Sequence, residues 1–184
     1  MKDELKWIKK IQRNGHEQAA NQLISKYYKE MYAFIYKQTL DAELSLDLTQ
    51  ELFISVLKSI QHYDAKKAAF RTWLYKLASN RLVDYYRFKY YQQGRNLQPI
   101  EDIELEDAYD MTISLEYQED FEKVASMINQ LDASSQQVMR LKLFGEYTFQ
   151  EIADIEKIPE STVKTRYYAA LRKIRKEMKE GFHG

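Results

Sequence analysis

Wherever apolar residues cluster in this chain they recur three and four positions apart, and that spacing calls for helices. Ala20, Leu23, Tyr27, Met31, Phe34 and Ile35 fall on one helical face, and Leu48, Leu52, Val56 and Ile60 on another. Trp73, Leu74, Leu77, Ala78 and Leu82 make a third stripe; Tyr117, Phe121, Val124, Ile128 and Leu131 make a fourth. No segment shows the sustained apolar–polar alternation of a half-buried strand. Five Gly and two Pro in 184 residues are too few for the turns of a β-sandwich. The expected fold class is all-α.

Charge divides the chain. Net charge is zero, which taken alone argues against a nucleic-acid partner, but its distribution argues the other way. Residues 64–95 carry eight Lys or Arg against Asp64 and Asp84, and residues 157–179 carry eight against Glu160 and Glu177, a local +6 each time. Between Arg95 and Lys123 stand ten Asp or Glu and no basic residue. The pattern predicts two small helical domains, 1–95 and 113–184, joined by an acidic flexible linker over 96–112. Two solvated helix faces flanking an acidic linker would produce the same charge map.

The sharpest local motif lies near the C-terminus. Thr148-Phe-Gln-Glu151 is a T-x-x-E capping box, with Phe149, Ile152 and Ala153 facing inward. Lys157-Ile158-Pro159 breaks that helix early, and a second follows from about Pro159 with Val163, Tyr167, Ala170, Leu171, Ile174 and Met178 inward. Its outward face carries Ser161, Thr162, Lys164, Thr165, Tyr168 and Arg172, with Arg166 beside them. Two such helices make a helix-turn-helix over about Thr148 to Tyr167, whose second helix suits the major groove. The competing reading is an αα-hairpin with a basic solvated face.

In the first domain, the stripe from Trp73 to Leu82 leaves Lys76, Asn80, Asp84 and Arg87 on the opposite face, with Arg81, Tyr85 and Lys89 beside them. Basic residues interleaved with aromatic ones suit single-stranded nucleic acid, whose phosphates need cations and whose unstacked bases need ring faces. Taken alone, Tyr85, Tyr86, Tyr90 and Tyr91 read as packing residues rather than base platforms, and Trp73 is expected in the core.

Other classes are disfavoured. Cys is absent, which removes disulfides, thiolate metal sites and cysteine nucleophiles. His16, His62 and His183 are too far apart for a His-x-x-x-His pair, so neither a metal nor another cofactor is expected. No nucleophile, base and orienting group converge, and the chain is not expected to be an enzyme. The start, Met1-Lys-Asp-Glu-Leu-Lys, has no apolar signal core, and no stretch approaches ~20 apolar residues. The expected location is cytoplasmic, without membrane insertion.

Several segments, taken in order, resemble the small two-domain bacterial RNA polymerase sigma factors of the extracytoplasmic-function (ECF) type, in the sigma-70 family. Asp47-Leu-Thr-Gln-Glu-Leu-Phe53 resembles the family's D-x-x-Q-E-x-F segment. Tyr63-Asp64, Phe70-Arg-Thr-Trp-Leu74, Asn80, Asp84 and Arg87 resemble its −10 stretch, and Glu151-Ile-Ala153 with Ser161-Thr-Val-Lys-Thr-Arg166 its −35 helix-turn-helix. Where the family usually has Gly near 157 and Ser near 159, this chain has Lys157 and Pro159. Where it often has Arg-Ala-Arg, this chain has Ala169-Ala170-Leu171.

The resemblance implies a factor that joins core RNA polymerase, directs it to promoter DNA and helps open the duplex. It implies polymerase docking by Asp47, Gln50, Glu51 and Phe53. It implies −10 contacts from Arg71, Lys76, Asn80, Arg81, Asp84, Tyr85 and Arg87. The −35 contacts would come from Ser161, Thr162, Lys164, Thr165, Arg166, Tyr168 and Arg172. An inhibitory anti-sigma factor is a further implied partner. The alternatives are a stand-alone helix-turn-helix regulator, which leaves the 47–53 segment without a task, and a sigma-like adaptor binding only protein.

Overall fold

The computed structural model describes residues 2–92 and 118–181. Eight α-helices account for most of them: α1 Lys2–Asn14, α2 Glu17–Thr39, α3 Ala42–Ser59, α4 Phe70–Gln92, α5 Gln118–Asn129, α6 Ala133–Leu143, α7 Phe149–Glu156 and α8 Glu160–Gly181. No strand occurs among the described residues, in keeping with the all-α expectation. The tract 96–112 and Tyr117 lie outside them. By packing the chain divides into Met1–Arg81 and Leu82–Gly184, so α4 runs through the boundary.

In the first unit, two-residue turns join α1 to α2 and α2 to α3. Gly15, at φ 63°, ends α1, and His16 caps α2 by accepting the Ala19 N–H at 3.2 Å. Leu40 ends α2 in the left-handed region, and the Asp41 carboxylate caps α3 through the Leu44 N–H at 3.0 Å. The stripes anticipated on α2 and α3 are all buried, from Ala20 to Ile35 and from Leu48 to Ile60. Ile8 and Ile11 of α1 join them.

The helix α4 departs from its expected stripe. Phe70, Leu74, Ala78, Leu82 and Tyr86 form one buried row and Tyr75, Ser79 and Val83 a second, so this helix is covered on a wide arc. Trp73, expected in the core, is half-buried at its rim. Its ring lies 5.2 Å from that of Tyr63 and 5.5 Å from that of Phe70.

Polar ties fix α1. The Glu4 carboxylate is buried and accepts hydrogen bonds from the Tyr27 hydroxyl at 2.6 Å and from the Lys26 ammonium. Burial pushes the Glu4 carboxyl up, but these hydrogen bonds outweigh it and hold its pKa below the ordinary value. At the other end, the Gln12 side-chain amide donates to the carbonyls of Ile60 (2.8 Å) and Tyr63 (2.9 Å). Those residues bound a 3-10 turn, Ile60–His62, that closes α3.

The second unit packs α5 to α8 around Val124, Ile128, Val138, Met139, Ile152, Val163, Leu171 and Ile174. Arg140 is fully buried, donating to Asn129 Oδ1 (2.6 Å) and Gln136 Oε1 (3.0 Å). Its guanidinium pKa is pulled down to about 10 by that burial. Gln136 in turn donates to the carbonyls of Asn129 and Leu131, closing the end of α5. Asp132 caps α6 through the Ser134 and Ser135 N–H groups.

The anticipated capping box opens α7: Thr148 and Glu151 exchange side-chain and backbone hydrogen bonds in both directions. Those bonds lower the Glu151 pKa. Lys157 then ends α7 at φ 58°, donating its N–H to the Ala153 carbonyl, a conformation that favours glycine. Pro159 lies just outside α8, its carbonyl accepting from the Val163 N–H at 3.2 Å.

Because a non-glycine residue at left-handed φ costs about 1–2 kcal/mol, Lys157→Gly is expected to stabilise the protein despite glycine's extra unfolded-state freedom. A net gain of about 1 kcal/mol corresponds to a rise of about 2–4 °C in the melting temperature at this chain length. A thermal melt monitored by helical circular dichroism checks it.

Candidate protein and nucleic-acid interfaces

On α3, burial of Leu48, Leu52, Phe53 and Val56 turns the intervening residues outward. Asp47, Gln50 and Glu51 are exposed, as their expected docking role requires. Phe53 is not. Its ring is buried and stacked on Tyr28, with centroids 5.9 Å apart and planes at 18°. Phe53 therefore packs beneath the candidate docking face, because an aromatic ring beside α2 gains more from the core than from water. The sequence reading missed three apolar residues on that surface: Leu46 (42% exposed), Ile54 (52%) and Leu57 (37%). Their signal was present, since all three lie off the inward stripe of α3. Exposed apolar side chains rimmed by acids make this face a candidate protein-binding surface.

The candidate −10 residues separate into tied and open groups. Arg71 is tied: its Nε donates to Glu30 Oε1 at 2.6 Å, its Nη2 to the Tyr75 hydroxyl at 3.1 Å, and its guanidinium lies 4.7 Å from the Tyr75 ring centroid. Arg81 is tied as well, donating to Ser55 Oγ at 2.7 Å and pairing with Glu51 at 3.6 Å. This links a candidate −10 residue to a candidate docking residue. Lys76 and Tyr85 are half-buried, and the Tyr85 ring packs edge-on to Tyr86 at 5.1 Å. Asn80, Asp84 and Arg87 are exposed.

Beyond them α4 presents Phe88 (62% exposed) and Tyr91 (83%). Phe88 escaped the sequence reading because it belongs to no stripe, and that is itself the signal. The side chain of Tyr90 lies outside the described residues. Upstream, the loop into α4 is shaped by the Asp64 carboxylate, which accepts from the Lys66 N–H at 2.9 Å. The Tyr63 hydroxyl donates to the Ala68 carbonyl at 2.9 Å. Lys66 and Lys67 are exposed on it.

On α8 the outward face is narrower than expected. Ser161 is exposed, whereas Thr162, Lys164, Thr165, Arg166, Tyr168 and Arg172 are half-buried. Lys164 pairs with Glu160 at 2.6 Å, and the Thr165 hydroxyl donates to the Ser161 carbonyl at 2.9 Å. Tyr168 leans on Phe149, with centroids 5.9 Å apart. Ala169, Ala170 and Leu171 are all buried. An arginine pair at 169 and 171 would meet the core here, which accounts for small and apolar residues at those positions.

Residues 23–90 match the family Sigma-70 region 2, and residues 121–174 match Sigma-70, region 4. Together the two matches take in about two thirds of the chain, in the order of the motifs. The chain is a sigma-70 family member of the ECF type. ECF RNA polymerase sigma factor SigW of Bacillus subtilis is 28% identical, the alignment covering 98% of this chain and 97% of SigW. SigX of the same organism is 26% identical over 88% of this chain and 84% of SigX. Among solved structures, CnrH in complex with the cytosolic domain of CnrY superimposes with a TM-score of 0.62 at 18% identity, over 97% of each chain. Sigma factor RpoE of Bartonella quintana, in complex with anti-sigma factor NepR, does so at 0.54 and 16%, over 86% of this chain and 96% of RpoE.

As a sigma factor the protein binds core RNA polymerase and directs transcription initiation at promoters. Region 2 takes in α3 and nearly all of α4, and region 4 takes in α7 and the helix-turn-helix part of α8, as far as Ile174. The sigma factor's first helix, α1, precedes the region 2 match. No helix among the described residues is long and apolar enough to cross a membrane.

The tied and open arginines are expected to respond differently to mutation. A double-mutant cycle on Arg71 and Glu30 should return a coupling of up to ~1 kcal/mol, the ordinary ceiling for a partly exposed ion pair. Arg87→Ala should change stability by no more than about 0.5 kcal/mol. Urea titrations of the four variants check both.

Proposed function

We propose that three surfaces divide the work of initiation within this sigma factor. Residues 1–95 dock on the polymerase and open the −10 element, residues 113–184 hold the −35 duplex, and residues 96–112 tether the two. Asp47, Gln50 and Glu51 form the docking surface together with Leu46, Ile54 and Leu57, and Phe53 backs it. The reading is supported by the exposed apolar groups on one helix face, which a protein partner can bury, with acids at their rim that can meet the partner's cations.

On α4, Asn80, Asp84 and Arg87 line the strand that separates, with Tyr85 beside them, and Phe88 and Tyr91 receive extruded bases. The observation that carries this reading is the pair of large exposed rings beside Arg87 and Lys89. Extruding a base costs a few kcal/mol, and stacking on a ring returns about 1–3. Melting on this helix is thus near balance and depends on polymerase to finish it. Arg71, Lys76 and Arg81 shape the face, and their cations add to the field that draws the backbone in.

On α8, Lys164, Arg166 and Arg172 hold phosphates, while Ser161, Thr162, Thr165 and Tyr168 stand nearer base edges. The sigma factor works in the cytoplasm without a catalytic site or cofactor of its own. An inhibitory anti-sigma factor is a further partner. The solved complexes of CnrH with CnrY and of RpoE with NepR support this, since in both a protein of this fold is held by another chain.

Docking is tested by co-purification with core polymerase: Glu51→Lys together with Asp47→Lys should abolish it while helix content stays constant. Retained binding would sink the α3 assignment. Melting is tested by permanganate footprinting, where alanine at Asn80, Asp84 and Arg87 should remove reactive thymines without loss of polymerase. Normal footprints would make that face merely solvated.

Upstream readout separates by contact type. A residue at a base edge is worth about 1–3 kcal/mol of discrimination at one position, whereas a phosphate contact weakens all sequences alike and sets the salt slope. Replacing Thr165 should shift preference at one −35 position, and Lys164→Ala should lower the salt slope by about one. The opposite pairing of outcomes would rotate the recognition helix from this register.

A further inference from the structure

The helix α1 lies outside the matched family segment, yet it reaches into the segment that leads to the −10 face. The Gln12 side-chain amide has two N–H groups, and it directs donations to two carbonyls three residues apart, Ile60 and Tyr63. The Ile60 carbonyl also accepts the Tyr63 N–H at 3.1 Å. These carbonyls close α3 and open the loop 63–69, where helical partners run out. One amide bridging both sets the spacing between the end of α3 and the start of that loop.

Gln12 is itself held in register. Ile8 and Ile11 are buried beside it, the Glu4 carboxylate is fixed by Tyr27 and Lys26, and Gly15 with His16 makes a turn of one geometry into α2. On the far side of the clamp, Tyr63 is fixed by the Ala68 carbonyl and by ring contacts with Phe70 and Trp73. Between the Tyr63 and Ala68 ends, Ala65, Lys66 and Lys67 stand outward as a short exposed basic tip.

We propose that Gln12 is a positioning residue for −10 recognition: through the Ile60 and Tyr63 carbonyls it sets the pose in which loop 63–69 meets the separated strand. This rests on the reading that α4 and the loop before it face the −10 element. The first helix then acts on promoter choice without touching DNA. A contact fixed to within a fraction of an ångström discriminates between bases, and the same contact on a loosened loop does not.

The test uses the full chain with core polymerase and a promoter library randomised across the −10 element. Gln12→Met keeps length and helix preference but donates nothing; Gln12→Arg can again donate to both carbonyls. The expected result for Gln12→Met is about a tenfold loss of base preference at one or two −10 positions, a size that matches one base contact. Polymerase co-purification and −35 duplex affinity should stay unchanged, and Gln12→Arg should recover most of the preference. Unchanged preference in Gln12→Met overturns the proposal, as does a uniform loss across all positions or a collapse of the fold, each of which makes Gln12 a structural staple only. If the unmutated protein shows no −10 preference, the reading of α4 fails instead, and the two failures are told apart by that control.

Discussion

The ring of Phe70 holds the first domain together. It is 1% exposed, and it meets Tyr27 of α2 at 5.5 Å, Tyr63 of the loop at 5.4 Å and Trp73 of its own helix at 5.5 Å. Each of those partners belongs to a different segment, so one side chain fixes where α4 starts relative to α2 and the loop. Tilted and edge-on ring pairs each add about 0.5–1.5 kcal/mol beyond the area they bury. The exposed face of α4 points where it does because this inward cluster leaves it no other orientation.

Around that hub the ion pairs act as guides more than as sources of stability. Glu30 collects Arg71 and the Tyr75 hydroxyl, and Ser55 with Glu51 collects Arg81. Partly exposed pairs contribute little to stability, but they hold long side chains in one geometry. The Arg81 tie also joins α4 to α3, since its guanidinium meets both Ser55 and Glu51. In the second domain, Arg140 plays the buried counterpart, joining Asn129 of α5 to Gln136 of its own helix.

Much of this was legible in the sequence, for reasons particular residues show. The stripes on α2 and α3 read correctly because their apolar residues recur on the face that packs inward, although α3 also buries Ser45, Thr49 and Phe53 beside its stripe. The Thr148–Glu151 box read correctly because a cap is local chemistry. The stripe on α4 read less well: burial of Tyr75, Ser79 and Val83 alongside Leu74 and Leu82 widens its inner face, and that depends on packing that spacing does not encode. Phe53 stands in the docking motif yet turns inward to Tyr28, and Arg71 stands in the −10 stretch yet is tied to Glu30. Both depend on which helix lies opposite. Gln12 carried no sequence signal at all, since its acceptors are backbone carbonyls about fifty residues away.

The account turns on whether this chain gives polymerase a two-part address. Core polymerase with the purified protein, on fragmented genomic DNA, yields transcripts whose 5′ ends can be mapped. Start sites sharing one upstream duplex motif and one −10 motif, absent with core enzyme alone, are the predicted result. Start sites with no shared motif, or none beyond those of core enzyme alone, would contradict the account.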